Sequence, residues 1–491
     1  MDSIRVTADK YTTAGRFTKF IGNWAIGQLG KLAFVDLIDP ALCVNVPAVI
    51  RGMRQRPFFR DAISQGWGVI FVGTAVRMGL NFITGILLAR ALGPDEFGIY
   101  SILGAIAGIS GGVIDLGLTS ASVRHIAIDW QTDKTLAWQR GQTFFWLRVI
   151  LAAVYIVGGI LLAKPITQLV WPVPNAALLL SLALLSMGTT VLSGSINALL
   201  EATRYFGRIA IAIIFSSTVS LSVTAVLVVT GQISVITALV GSSFFGSLAG
   251  FWLATRLWPV LWRETAVSRP ILRFPGIQTM RTLGQPLWKF GGWLWLGNIL
   301  RMLLGYLDMF LVNHWLATET VGIYALALNL SSKVELINSS LHAALVPSVS
   351  TLADKTAVRH YLKQSLVRSA GLSLPVLALV PLAPWFVPQL YGPAYQSAGT
   401  VLQLLLLITL FDLFTLAPSL LVYTFNQPKL FAAGELLRTL TLLAMGVWLI
   451  PTWGITGAVL ARFCAKLVGA VFILGRLIPH YAQYGQKEPV P

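Results

Sequence analysis

Eight ionisable side chains stand within long apolar runs of this chain: Arg77, Arg301, Asp308, Lys333, Glu335, Asp412, Arg462 and Lys466. A charge at the centre of a bilayer costs about 2.5–3.5 kcal/mol on insertion scales, so those that persist face the interior of a bundle or water. Arginine offers a planar fork of donors that grips an oxyanion through paired hydrogen bonds, which a lysine point charge cannot do. Arg77 and Arg301 are therefore candidates to hold a multiply charged ligand. The competing reading is an ion pair between helices, and for Arg301 the competitor is Asp308, seven residues on along the same helix face. Arg462 and Lys466 are spaced i, i+4 in AVLARFCAKLVG, so they share a face and repel unless an anion stands between them. A ligand anion would serve, and so would Asp412 or Glu435 from a neighbouring span. Asp308, Glu335 and Asp412 are candidates for coupling to a proton or sodium gradient, because an acid held away from water can alternate between bare and neutralised forms. A static ion pair is the alternative for each. Lys333 and Glu335, two residues apart, do not face each other. Arg148 and Arg438 lie near span ends, where snorkelling or local pairing is expected, Arg438 with Glu435. Asp115 is expected to cap or brace the end of its helix.

The elements that must position these residues come in two copies. RMGLNFITGILLARALGPDEFGIY (77–100) aligns without gaps on RMLLGYLDMFLVNHWLATETVGIY (301–324), with identities that include Arg77/Arg301, Gly98/Gly322 and Tyr100/Tyr324. Each copy is an apolar span with one arginine, a polar turn, then Gly-Ile-Tyr opening the next span. Duplicated halves are how many transporters place a substrate path between two bundles. With 56% hydrophobic and 11% charged residues and a mean hydropathy of +0.74, the chain has too little polar surface to cover a water-soluble globule. A crossing takes roughly 20 apolar residues, which gives about twelve spans. They lie near 65–89, 98–120, 142–163, 176–199, 207–230 and 232–255, then near 289–313, 321–346, 367–388, 397–424, 430–450 and 454–477. The expected fold is an all-α polytopic membrane protein, with a first six-helix bundle over 64–256 and a second, pseudo-symmetric one over 289–480.

Lysine and arginine crowd alternate connections: Arg124, Lys134 and Arg140; Arg204 and Arg208; Arg256 to Arg281; Lys355, Arg359 and Lys363; Lys429. The positive-inside rule puts these, both termini and the basic linker 257–288 in the cytoplasm, with 481–491 as a cytoplasmic tail. Residues 1–63 carry basic flanks around a stretch broken by Asp36, Asp39, Pro40 and Pro47. This predicts a cytoplasmic or interfacial segment drawn to anionic lipid heads, with a thirteenth span as the alternative. No signal peptide is expected.

The net charge of +17 follows this topology and is not gathered into a basic patch with interleaved aromatics, which argues against a nucleic-acid partner. Cys43 and Cys464 have no metal or disulfide spacing, and the five histidines show no ligand spacing. No phosphate-loop, HExxH or GxSxG motif occurs, so neither an enzyme nor a bound metal or cofactor is expected.

LLARALGPDEFGIYSILGAIAG followed by VIDLGLTSASVRH resembles the opening of the bacterial oligosaccharide flippases, the polysaccharide-transporter branch of the multidrug/oligosaccharidyl-lipid/polysaccharide (MOP) exporter superfamily. YLDMFLVNHWLATETVGIYALALNL, ALVPSVS and SLLVYTFNQPKLF are similar to the start of that family's second bundle and to a later connection. The resemblance covers roughly 64–480. It implies two bundles around a central cavity in the inner membrane, alternating access, and a polyprenyl-diphosphate-linked oligosaccharide repeat unit (O-antigen or exopolysaccharide) as cargo. In that frame Arg77 and Arg301 would form a cationic floor for the diphosphate, with Arg462 and Lys466 as further contacts. Membrane lipids, a polysaccharide polymerase and export machinery are the other partners it implies. The alternatives are a superfamily exporter of small drugs or other lipid-linked cargo coupled to an ion gradient, and a polymerase of the same pathway. Drug exporters tend to lead with a carboxylate where this first span has Arg77. The short outward connections leave a polymerase no room for a catalytic surface.

Overall fold

The computed structural model describes residues 62–170, 175–257, 274–349, 352, 354–425 and 427–483. The expected interfacial segment 1–63 and tail 481–491 lie almost wholly outside the described residues, as does much of the linker 257–288. The expected all-α architecture is borne out. In chain order the elements are α1 (Ala62–Asp115), α2 (Leu118–Thr132), α3 (Lys134–Val170), α4 (Ala176–Ala202), α5 (Phe206–Val229), α6 (Val235–Ala238) with a π-helical segment (Leu239–Phe245), and α7 (Gly246–Leu257). They continue as α8 (Ile277–Trp315), α9 (Thr318–Val349), α10 (Lys355–Tyr391), a 3-10 turn (Pro393–Tyr395), α11 (Gln396–Ser419), α12 (Leu421–Thr424) and α13 (Pro428–Gln483).

Among the described residues, eight helical stretches are long and apolar enough to cross a membrane. Two of them, α1 and α13, each hold two of the expected spans. They turn at Gly93 (φ 73°) and Gly454 (φ 59°), left-handed positions that a side chain would strain. The seventh and eighth expected spans form α8 and α9. The chain is thus a multi-pass membrane protein. It divides into two compact units, one holding the residues up to Ala91 with Ile106–Asn298, the other Leu92–Ala105 with Ile299–Pro491.

In the first unit α4 is the central helix, packed on α2, α3, α5, α7 and the π-helical segment. Lipid supplies little hydrophobic drive between helices, so close packing and polar contacts must hold them. Trp138, Phe144, Phe145, Ile196, Leu199 and Leu200 form the packed centre. Beside it Arg148, 4% exposed, does not snorkel. Its guanidinium pairs with Asp115 at the end of α1 (2.8 Å) and donates to Thr119 Oγ1 (2.8 Å) and Ser195 Oγ (3.2 Å), joining α1, α2, α3 and α4. Asp115 therefore braces its helix end, and it also accepts from Thr119.

In the second unit α11 packs along both α10 and α9. Here the two Gly-Ile-Tyr copies meet. A Cβ on Gly98 would stand 2.9 Å from the Gly322 amide nitrogen and collide with the Thr318 carbonyl. A Cβ on Gly322 would stand 3.0 Å from the Gly98 nitrogen and collide with the Pro94 carbonyl. Phe97 lies edge-on to Tyr395 beside this crossing, 6.2 Å between ring centres.

Two outcomes follow from these contacts. Arg148→Met leaves Asp115 without its partner and is expected to cost roughly 3 kcal/mol, read as a lower midpoint of thermal unfolding in detergent, with partial recovery when Asp115→Asn is added. Gly322→Val pushes a side chain into backbone that cannot rotate away and is expected to cost about 1–3 kcal/mol in the same measurement.

Candidate functional site

The second unit gathers five of the charged side chains singled out in the sequence into one chain of contacts. Asp308 on α8 is 0% exposed. It accepts from Tyr324 Oη of α9 (2.7 Å) and from the Met309 amide (2.9 Å), and it pairs closely with Arg462 of α13. The other arm of Arg462 lies 4.0 Å from Glu335 of α9. Glu335 in turn is 3.5 Å from Lys466 Nζ, and Lys466 pairs closely with Asp412 of α11. Arg462 and Lys466, one turn apart on α13, thus have a carboxylate between them, and that carboxylate is Glu335. Glu435 instead pairs with Arg438, three residues on, at 2.7 Å.

Among the described residues the cluster alternates three carboxylates with two cations, and its members differ in how enclosed they are. Asp308 is enclosed and fully satisfied by a guanidinium, a phenol and an amide. Glu335 is the open member: its side chain is 34% exposed and its contacts are the longest in the chain. Glu335 is also the member that touches both basic groups at once.

Arg301 lies in α8 with its side chain outside the described residues, and Asp308, the partner expected for it in the competing reading, is engaged by Arg462. Lys333 is half-buried and holds a contact of its own. In the first unit Arg77 is exposed, and it makes no ion pair or hydrogen bond with any described residue. Its position on α1 is informative. Gly73, Thr84 and Leu88, at the same helical face, are all buried, with Gly73 against Ala210 of α5. The apolar Phe71, Val72, Val76 and Ile83, which are exposed, occupy other faces. Arg77 therefore opens on a gap in the packed face of α1 rather than on the face that suits lipid.

Tyr324 is the member that sequence reasoning missed. It stood in view as the last residue of the repeat, matched to Tyr100, yet a tyrosine in an apolar span carries no charge to draw attention. A further signal was available in the alignment: the counterpart of Asp308 in the first copy is Thr84, whose hydroxyl is satisfied by the Leu80 carbonyl of its own helix at 2.9 Å. The two copies differ at this position, and in the second the Tyr324 phenol donates to the acid.

Residues 87–399 match the family described as "Polysaccharide biosynthesis protein". A "Putative O-antigen transporter" of Shigella flexneri is 24% identical over 395 residues, covering 79% of this chain and 90% of that protein. "Probable flippase AglR" of Haloferax volcanii is 26% identical over 214 residues, covering 42% of this chain and 44% of that protein. Among solved structures, an inward-facing multidrug resistance MATE family transporter of the MOP superfamily superposes with a TM-score of 0.68 at 12% identity, covering 86% of this chain and 100% of that one. The fold is that of these transporters, and the resemblance carried by the LGPDEFGIY segment is borne out by a match across more than half of the sequence. The chain belongs to the polysaccharide biosynthesis protein family.

Proposed function

We propose that this protein is a flippase that carries polyprenyl-diphosphate-linked oligosaccharide repeat units across the inner membrane by alternating access, for assembly of a surface polysaccharide. The observation that carries the reading is Arg77: an exposed guanidinium, without a described partner, on the packed face of a membrane helix. Such a group calls for an oxyanion with several acceptor oxygens, and a diphosphate offers them in the geometry a guanidinium fits. The similarity to the Shigella flexneri transporter supports the same cargo class. Arg301, the matching residue of the second copy, is assigned the same role on the repeat alone.

The charge cluster supplies a means of coupling. With Glu335 and Asp412 ionised, Arg462 and Lys466 are held by carboxylates. Once a proton or sodium ion neutralises an acid, the basic groups are released toward an anionic cargo. Coupling ion and cargo then bind different members of the cluster, the ion a carboxylate and the cargo the released cations, so each favours the binding of the other. Asp308 belongs to this cluster as its enclosed anchor. Both termini lie in the cytoplasm by the placement of basic connections, and the cargo crosses chemically unchanged, so no catalytic residue is assigned. A polysaccharide polymerase and export machinery are the expected partners on the far side. The partly exposed Glu335 favours one other reading, an exporter of small organic cations.

Translocation in sealed vesicles, read as glycan newly accessible outside, tests the proposal. Arg77→Lys is expected to cut flipping by at least about tenfold and Arg77→Ala further, with expression and insertion unchanged. Uptake of an organic cation without glycan exposure would replace this reading with the exporter. Glu335→Gln and Asp412→Asn are expected to flip without responding to an imposed proton or sodium gradient. Asp308→Asn should instead lower thermal stability, by roughly 3 kcal/mol, because its loss strands Arg462.

A further inference from the structure

Along one stripe of α4 the environment changes halfway. Ala176, Leu179, Ala183 and Ser186 are buried, each against the rest of the first unit. The next positions of the same stripe, spaced i, i+4, i+7 and i+11, are Thr190, Gly194, Asn197 and Glu201. Thr190 and Glu201 are exposed, and Gly194 and Asn197 are half-exposed. In the same half of the helix Val191, Ser195, Ile196, Ala198, Leu199 and Leu200 are buried, so the polar residues of this stripe open beside a packed face.

The opening has room and unspent hydrogen-bonding capacity. A Cβ on Gly194 would meet nothing within 4 Å. The Asn197 side-chain oxygen is shielded yet has no hydrogen-bond partner. The Glu201 carboxylate pairs with no described residue. Thr190 donates to the Ser186 carbonyl (2.9 Å) and shares a hydrogen bond with Ser247 of α7 (2.7 Å). Ser247 follows closely on the π-helical segment Leu239–Phe245, whose first carbonyl accepts from Ser186 Oγ at 3.3 Å. Single π-turns within membrane helices recur at functional sites.

The chemistry of the stripe limits its occupant. Acyl chains would leave the Asn197 amide and Glu201 unsatisfied in a medium where each such group is costly. An ionised phosphate brings only acceptors to a stripe already rich in them. A neutral polyol suits it, since a hydroxyl donates to a carboxylate or amide oxygen and can also accept from an amide N–H. We infer that the Thr190–Gly194–Asn197–Glu201 stripe binds sugar hydroxyls of the lipid-linked glycan, a contact distinct in chemistry from the guanidinium of Arg77. The inference rests on the flippase reading and adds where the glycan itself is held.

The test uses purified full-length protein in sealed vesicles with two probes. One is polyprenyl diphosphate bearing an O-antigen repeat-unit oligosaccharide, the other polyprenyl diphosphate bearing a single N-acetylglucosamine. Thr190→Val removes the hydroxyl at constant shape, Asn197→Leu removes the amide, and Gly194→Leu fills the open space. Each is expected to slow the oligosaccharide probe by about tenfold, the loss of one or two hydrogen bonds, while the single-sugar probe stays within about twofold of wild type. Thr190→Ser should restore the oligosaccharide rate. Equal slowing of both probes, or of neither, in variants whose thermal unfolding matches wild type overturns the inference and leaves the flippase standing. A wild-type protein that moves neither probe sinks the flippase reading, and this inference falls with it.

Discussion

The second unit is organised around one ion pair, Arg462 with Asp308. In water such a pair contributes little, but here the acid is wholly enclosed and the next described carboxylate, Glu335, stands 4.0 Å from Arg462, so the close pair fixes both positions. Asp308 has no exposed surface, and its remaining acceptor capacity goes to Tyr324 and the Met309 amide. Through this pair α8, α9 and α13 are held in register. Lys466, one turn along α13, extends the hold to α11 through Asp412. The core that packs beneath, Leu442, Leu449, Ala461 and Ala465, is made of residues small or flexible enough to let these helices approach.

The first unit solves the same problem with different residues. Its buried charge is Arg148, and a single carboxylate, Asp115, compensates it with help from two hydroxyls. That arrangement sets one acid against one buried base, which fits a brace. The cluster in the second unit alternates acids and bases over four helices, and its partly exposed Glu335 touches both bases. After duplication the two halves kept the arginine pair Arg77/Arg301 and diverged in their acids, as Thr84 against Asp308 illustrates. A transporter built of two similar bundles can in this way hold cargo contacts in both and coupling in one.

Much of this was legible in the sequence, and the limits have physical causes. Spans follow from apolar runs of sufficient length, because the bilayer sets that length and nothing else competes with it. The turns at Gly93 and Gly454 fall inside the Leu-Gly-Pro and Trp-Gly-Ile punctuation where a reversal is expected. Charged residues in spans announce themselves by their cost. Their partners do not: Glu335, rather than Asp412 or Glu435, stands between Arg462 and Lys466, and Arg148 reaches Asp115 from another helix. Sequence spacing reports neighbours on one helix face and is silent on which helix lies opposite. The α4 stripe was harder still. Thr190, Asn197 and Glu201 are ordinary polar residues in an apolar span, and only the open space at Gly194 and the unpartnered Asn197 oxygen make their openness informative.

The crossing of Gly98 and Gly322 has a consequence for how this chain could have evolved. The two residues are copies of one ancestral position, and here they rest against each other, backbone on backbone. Most repeat positions were free to drift once the gene doubled, since each copy met its own surroundings. These two met one another. A change in either is felt at once by its twin, so neither could wander while the other stayed. Duplication usually relaxes constraint on both copies, but at a self-contacting position it ties them together.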